Sequence, residues 1–142
     1  MSLYIGILAL GVRIAKHKIR LPIPNHALTL MKTYCFALDL YDDAALIEEY
    51  KRWHRPDTIW PEVVEHIKSS GIASVEIYLA GNRLVMVLTA GDDFSLDAKA
   101  ALDAASATMQ KWEELMWKYQ KALPFAKPGQ KWVPMEKIFD VR

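Results

Sequence analysis

The chain has 142 residues, about the length of one ordinary domain, and 52% of them are hydrophobic, enough to bury a core. Eighteen Lys and Arg against seventeen Asp and Glu leave a formal charge of +1, which gives no basis for expecting nucleic acid or an acidic membrane surface as a partner. The single Cys35 cannot form an internal disulfide, so a cytoplasmic location is expected, with Cys35 as an inert thiol in an apolar strand.

Residues 1–30 differ from the rest. They hold Arg13, Lys16, Lys18 and Arg20 and no acid, leaving 14 basic and 17 acidic side chains beyond them. Their apolar run, Leu3 to Ile14, falls short of the roughly 20 residues that span a bilayer, and its positive charges follow the run where a secretory signal would have them first. The expectation is an N-terminal extension over residues 1–30, arising at the start site or by cloning, and one functional domain over 31–142 beginning near Met31. A genuine N-terminal strand and arm is the competing reading.

From Thr33 to Leu40, bulky Tyr34, Phe36, Leu38 and Leu40 alternate with smaller or polar residues, the pattern of a half-buried strand. Asp42-Asp43 offers a helix cap, and Leu46, Ile47, Tyr50, Trp53 and His54 form a helical stripe that ends before Pro56. Pro61 suits the first turn of a second helix closing at Ser70-Gly71. Two strands follow, Ser74 to Leu79 and Leu84 to Leu88, joined by a tight turn at Gly81-Asn82. Ser95 to Lys121 contains no Gly or Pro and reads as one long helix or two joined by a bend. After a loop marked by Pro124, Pro128 and Gly129, Trp132 to Val141 reads as a strand, with Pro134 at an edge or near its beginning. The order predicts an α+β, ferredoxin-like βαββαβ fold: an antiparallel sheet with its helices on one face. The bare sheet face predicts a homodimer, a dimeric α/β barrel, with a site between each sheet and its helices.

Candidate chemistry starts at Tyr50 and His54, four residues apart and therefore on one helical face. His54 stands at a helix end, where its pKa can be tuned, and a histidine near neutrality is a good general acid or base. The competing reading is a satisfied core histidine, and spacing alone leaves the two balanced. Five tryptophans in a small chain suit a sugar site, because an indole stacks on the C–H face of a pyranose while its N–H meets a polar partner. Trp53 and Trp117 read as core or interface; Trp60 and Trp112 read equally as ligand walls. Among the carboxylates, Glu113 stands beside Trp112, and Glu76 shares a strand face with Ser74 and Tyr78 that would point into the cleft. Glu62 and His66 are i, i+4 but lack a third ligand, so no metal site is expected. No phosphate loop, nucleophile elbow or dinucleotide fingerprint occurs.

At these residues the chain resembles a known family. Glu49-Tyr50, His54, Ile59-Trp60-Pro61-Glu62, Ile77-Tyr78-Leu79 and Gln110-Lys111-Trp112 together resemble the L-rhamnose mutarotases, small aldose 1-epimerases, over roughly residues 31–142. The resemblance implies a dimeric ferredoxin-like fold, no cofactor, and interconversion of the α and β anomers of a 6-deoxy-hexose. By it, His54 matches the proton donor, Tyr50 a sugar-binding tyrosine, and Trp112 the first of two adjacent sugar-binding tryptophans. The chain departs from the pattern by two extra residues between His54 and Trp60, by Val75 where a strand tyrosine is expected, and by Glu113 in place of the second tryptophan. These departures point to the same reaction on a related sugar, with L-fucose competing with L-rhamnose. The sites expected are thus His54 and Tyr50 for catalysis, and Trp60, Trp112, Glu113, Glu76 and Tyr78 for the sugar. Two other classes stay open: a cofactor-free oxygenase or other enzyme of the dimeric α/β-barrel class, which would consume oxygen without anomer exchange, and a sugar-binding module, which would bind without acceleration.

Overall fold

The computed structural model describes residues 30–142. The reading of the leader as an extension lies outside the described residues, apart from exposed Leu30.

Strand β1 (Lys32–Leu40) occupies the middle of an antiparallel sheet. It pairs along its length with β3 (Arg83–Ala90), placing Leu38 against Leu84 and Phe36 against Met86. Strand β2 (Ile72–Ala80) pairs with the far side of β3, after an irregularity between Ile72 and Ser74. Gly81, at φ 61°, opens the two-residue β2–β3 turn in the left-handed region that glycine enters without steric cost. Asn82 then ties the turn to the end of β1, its side-chain amide donating to the Leu40 carbonyl at 3.0 Å.

On the other side of β1, two short strands share one edge. β4 (Gln120–Lys121) pairs with Asp39 and Leu40, and β5 (Val133–Pro134) with Phe36 and Ala37. The strand order is β2-β3-β1-β4. Of the predicted last strand, Val133 and Pro134 pair with the sheet, and the Met135 N–H donates to the Cys35 carbonyl at 2.8 Å. Beyond them Ile138, Phe139 and Val141 are largely exposed.

The helical stretches each divide in two. α1 (Ala44–Trp53) begins where the Asp43 carboxylate accepts from the Leu46 N–H at 2.9 Å, and α2 (Pro61–Ser69) begins with its proline. α3 (Leu96–Ala105) and α4 (Ala107–Met116) meet at Ser106, whose Oγ accepts from the Met109 N–H at 3.2 Å and so starts a new helix instead of continuing the old one. α4 stops at Met116, short of the predicted end at Lys121, because Gln120 and Lys121 pair with β1.

The helices cover the sheet face that carries Phe36, Leu38, Leu40, Leu84 and Leu88, all buried. One core cluster joins Leu40 and Leu84 to Tyr50 of α1, Val63 of α2, and Met109, Trp112 and Met116 of α4. A second gathers Phe36, Ile72, Leu88, Ala90 and Phe94. The opposite face, following the register, carries Cys35 and Ala37 of β1, Val85 and Val87 of β3, and Glu76 and Tyr78 of β2. Tyr78 there is 57% exposed. Among the described residues no helix is long and apolar enough to cross a membrane.

Candidate active site

Between the sheet and its helices lies a cavity of about 710 Å³, within the range of small-molecule sites. Tyr50 and His54 of α1, Trp112 and Glu113 of α4, and Gln120 of β4 line one part; apolar residues of β2 and β3 line another.

The position of His54 follows from the end of α1. It is the C-cap residue, and its backbone N–H still bonds to the Lys51 carbonyl at 3.2 Å. Its ring folds back over the last turn, with Nδ1 2.8 Å from the Tyr50 carbonyl oxygen. A carbonyl can only accept, so the neutral ring carries its proton on Nδ1 and keeps a lone pair on Nε2. Burial pushes the imidazole below its ordinary 6.5, and the bond to Tyr50 offsets this only in part. His54 is accordingly a neutral proton acceptor at neutral pH.

Aromatic rings fix that imidazole on two sides. Tyr50 lies 4.3 Å away between ring centroids, and Trp112 meets it edge-on at 5.6 Å. Tyr50 itself is buried, and burial pushes its phenol up to about 12, so the hydroxyl stays protonated. Among the described residues its oxygen makes no hydrogen bond of ordinary geometry, although the nearby Gln120 amide lowers the phenol's pKa against the effect of burial. Below it the Tyr119 hydroxyl accepts from Trp53 Nε1 at 2.9 Å, locking Trp53 into the scaffold.

Glu113 reaches the cavity one residue after Trp112, and a lysine that the sequence did not single out holds it. Lys131 Nζ donates to the Glu113 carboxylate at 2.6 Å and to its backbone carbonyl at 2.7 Å, and sits 4.5 Å from the Trp117 ring centroid. Burial lowers the Lys131 pKa, while the Glu113 carboxylate works in the opposite direction.

Three of the sequence expectations are placed differently. Glu76 and Tyr78 face away from the cavity and bond to each other, the Tyr78 hydroxyl donating at 2.6 Å. Strand alternation gives the helix-facing side to Val75, Ile77 and Leu79, which do line the cavity. Trp60 lies behind the wall: its ring packs edge-on against Trp112 at 5.3 Å and does not itself line the cavity. His66, expected at most to pair with Glu62, instead reaches Asp103 of α3 at 2.8 Å, where Lys99 also pairs. Trp132 and Gln120 line the cavity without having been singled out. The five-tryptophan composition was a signal for Trp132, whereas Gln120 offered none while the segment read as helix. Among the described residues no group of three or more His, Cys, Asp or Glu side chains gathers as metal ligands.

Comparison with known proteins gives one consistent result. The family model described as L-rhamnose mutarotase matches residues 33–141. An L-fucose mutarotase from Xanthomonas campestris is 53% identical over 109 residues, covering 77% of this chain and 87% of that protein. An L-rhamnose mutarotase from Acidiphilium cryptum is 31% identical over 111 residues, covering 77% and 97%. In fold, the chain is similar to a crystal structure of an L-rhamnose mutarotase from Formosa agariphila, with a TM-score of 0.57 at 20% identity, over 78% of this chain and 99% of that one. With the family match running from the first sheet strand almost to the C-terminus, the chain belongs to the L-rhamnose mutarotase family.

Proposed function

We propose that this mutarotase interconverts the α and β anomers of a 6-deoxy-hexose by general acid/base catalysis without a cofactor, and that L-fucose is preferred over L-rhamnose. The observation that carries the reading is His54: a neutral imidazole, its Nδ1 held by the Tyr50 carbonyl, with a protonated Tyr50 hydroxyl on the same helical face.

The reaction asks little of a protein. The anomeric hydroxyl must lose a proton and the ring oxygen must gain one; the C1–O5 bond then opens, the aldehyde turns, and the ring recloses on its other face. His54 Nε2 takes the anomeric proton and Tyr50 hydrogen-bonds the ring oxygen and passes it a proton. Reversing both transfers after the turn restores the two side chains, so nothing is consumed. The Trp112 ring supplies an apolar wall for the sugar, with Trp60 bracing it from behind.

The preference for L-fucose rests on Glu113. Where the family resemblance leads to a second tryptophan, this chain has a carboxylate held by Lys131, which binds a hydroxyl where an indole would only stack. The L-fucose mutarotase among its relatives is also far more similar to this chain than the L-rhamnose mutarotase from Acidiphilium cryptum. Saturation transfer between anomers by NMR tests this: catalysed exchange should be faster for L-fucose than for L-rhamnose at equal concentration. Equal or reversed rates would remove Glu113 as the basis of sugar choice, and no acceleration of either would remove the reading itself.

Tyr50→Phe separates function from stability. It removes a buried hydroxyl that makes no hydrogen bond of ordinary geometry among the described residues, so unfolding free energy should rise by roughly 1 kcal/mol while anomer exchange slows. Denaturant unfolding and NMR exchange on the same sample check this; a loss of stability would mean that the hydroxyl is satisfied.

The strand order supports a ferredoxin-like fold, and the sheet face that the described helices leave uncovered supports a homodimer. Cys35, Ala37, Val85 and Val87 offer small apolar contacts there, and the exposed Ile138, Phe139 and Val141 add apolar surface that a second copy would cover. A reducing cytoplasm suits the free Cys35.

A further inference from the structure

Gln120 is 3% exposed and is the buried polar residue of the described core. It faces inward because β4 pairs it with Leu40, which turns its neighbour Lys121 to the surface. A buried amide ordinarily finds partners, since an unpaired oxygen in a dry site costs more than a typical hydrogen bond contributes. Among the described residues neither Gln120 Oε1 nor the Tyr50 hydroxyl makes a hydrogen bond of ordinary geometry, and each has the other as a polar neighbour. The Gln120 amide lies near enough to the Tyr50 phenol to lower its pKa as a weak hydrogen-bond partner, against the rise that burial causes, and both residues line the cavity beside His54 and Glu113.

One unpaired atom can be a packing defect. Two adjacent ones, on residues that line a single cavity next to the imidazole, form a polar patch among Met109, Met116 and Leu84. A pyranose hydroxyl has the complement: one hydrogen to give and two lone pairs to accept. A methyl group placed there would leave both protein groups unpaired.

We propose that Gln120 is a substrate-binding residue whose amide oxygen accepts a hydrogen bond from a ring hydroxyl of the sugar, beside the oxygen held by Tyr50. The pair then fixes which edge of the sugar faces His54: hydroxyls toward β4, and the 6-methyl toward the apolar side of the cavity at Met86 and Leu88. This assignment rests on the mutarotase reading above for the identity of its ligand.

The test is Gln120→Met, which keeps the length of the side chain and removes its polar atoms. KM for L-fucose should rise about 3- to 10-fold, the worth of one neutral hydrogen bond, with a larger change in KM than in kcat. The melting temperature should hold or increase, because an unpaired buried amide is gone. Tryptophan-fluorescence titrations with L-fucose and its 2-, 3- and 4-deoxy analogues then separate contact from structure. For one analogue, lacking the hydroxyl that Gln120 binds, wild type and Q120M should bind alike; for the others the difference should persist. An equal ratio across all the sugars, or unchanged affinity for L-fucose, overturns the assignment. If Q120M does not fold, Gln120→Leu takes its place in the same titrations. Binding is read separately from catalysis. A wild type that binds through Gln120 yet fails to speed anomer exchange refutes the activity and not this contact, whereas exchange indifferent to Q120M refutes the contact and not the activity.

Discussion

His54→Ala is expected to lower catalysed anomer exchange by about 10²- to 10⁴-fold, the usual worth of a positioned acid or base, while the protein remains folded. The reason is local. The ring is half-buried at the end of α1, its Nδ1 bonds to the Tyr50 carbonyl, and its Nε2 is the basic atom that the arrangement leaves for a sugar. Alanine keeps the helix end, since the backbone N–H of residue 54 supplies the bond to Lys51. Exchange by NMR, with circular dichroism as a check on folding, measures the effect; a folded variant with a wild-type rate would remove His54 from the mechanism.

Acidification tests the same residue without altering it. Because burial lowers its pKa, the acid limb of kcat/KM should have its midpoint below 6.5, and activity should persist at pH values where an exposed histidine is already half protonated. Stability has the same sign. Between the lowered folded value and the unfolded value near 6.5, the unfolded chain binds more protons. The contribution of His54 is therefore complete above the unfolded value and is lost as pH falls through the folded one. His54→Ala should abolish this part of the pH dependence.

Much of this site is legible in the chain because α1 writes it locally. A capping aspartate, a helical stripe and a stop before Pro56 place Tyr50 and His54 on one face, and the helix delivers them as read. β2 was harder. Its alternation separates Val75, Ile77 and Leu79 from Glu76 and Tyr78, and the polar set that would suit a sugar faces away from the cavity. The apolar face of the strand turns toward the helices, and the cavity lies on that side. Gln120 is different in kind. Two residues of strand have no period, and a segment without Gly or Pro reads as helix up to Lys121; only pairing with β1, about eighty residues away in sequence, makes it a strand. The departure at Glu113 was visible, but the Lys131 that holds it comes from a loop whose path no local pattern fixes.

Trp112 joins the chemistry to the core, and its removal should damage both. The residue is 6% exposed, packs in the cluster of Leu40, Tyr50, Val63 and Met116, and meets His54 on one side and Trp60 on the other. Trp112→Ala empties a space the size of an indole that two β-strands and two helices cannot close over. The expected loss is about 3–5 kcal/mol of unfolding free energy, the range for large aromatics cut to alanine in a core. Exchange should fall severely as well, since His54 loses the ring that limits its motion and the sugar loses its wall. Trp112→Phe distinguishes the two roles: it restores most of the packing, so stability should recover further than activity. Denaturant unfolding of the three proteins, set against their NMR exchange rates, decides the matter. If the alanine variant stayed within about 1 kcal/mol of wild type, the cavity would be collapsing around it, and Trp112 could not be the ring that holds the imidazole in place.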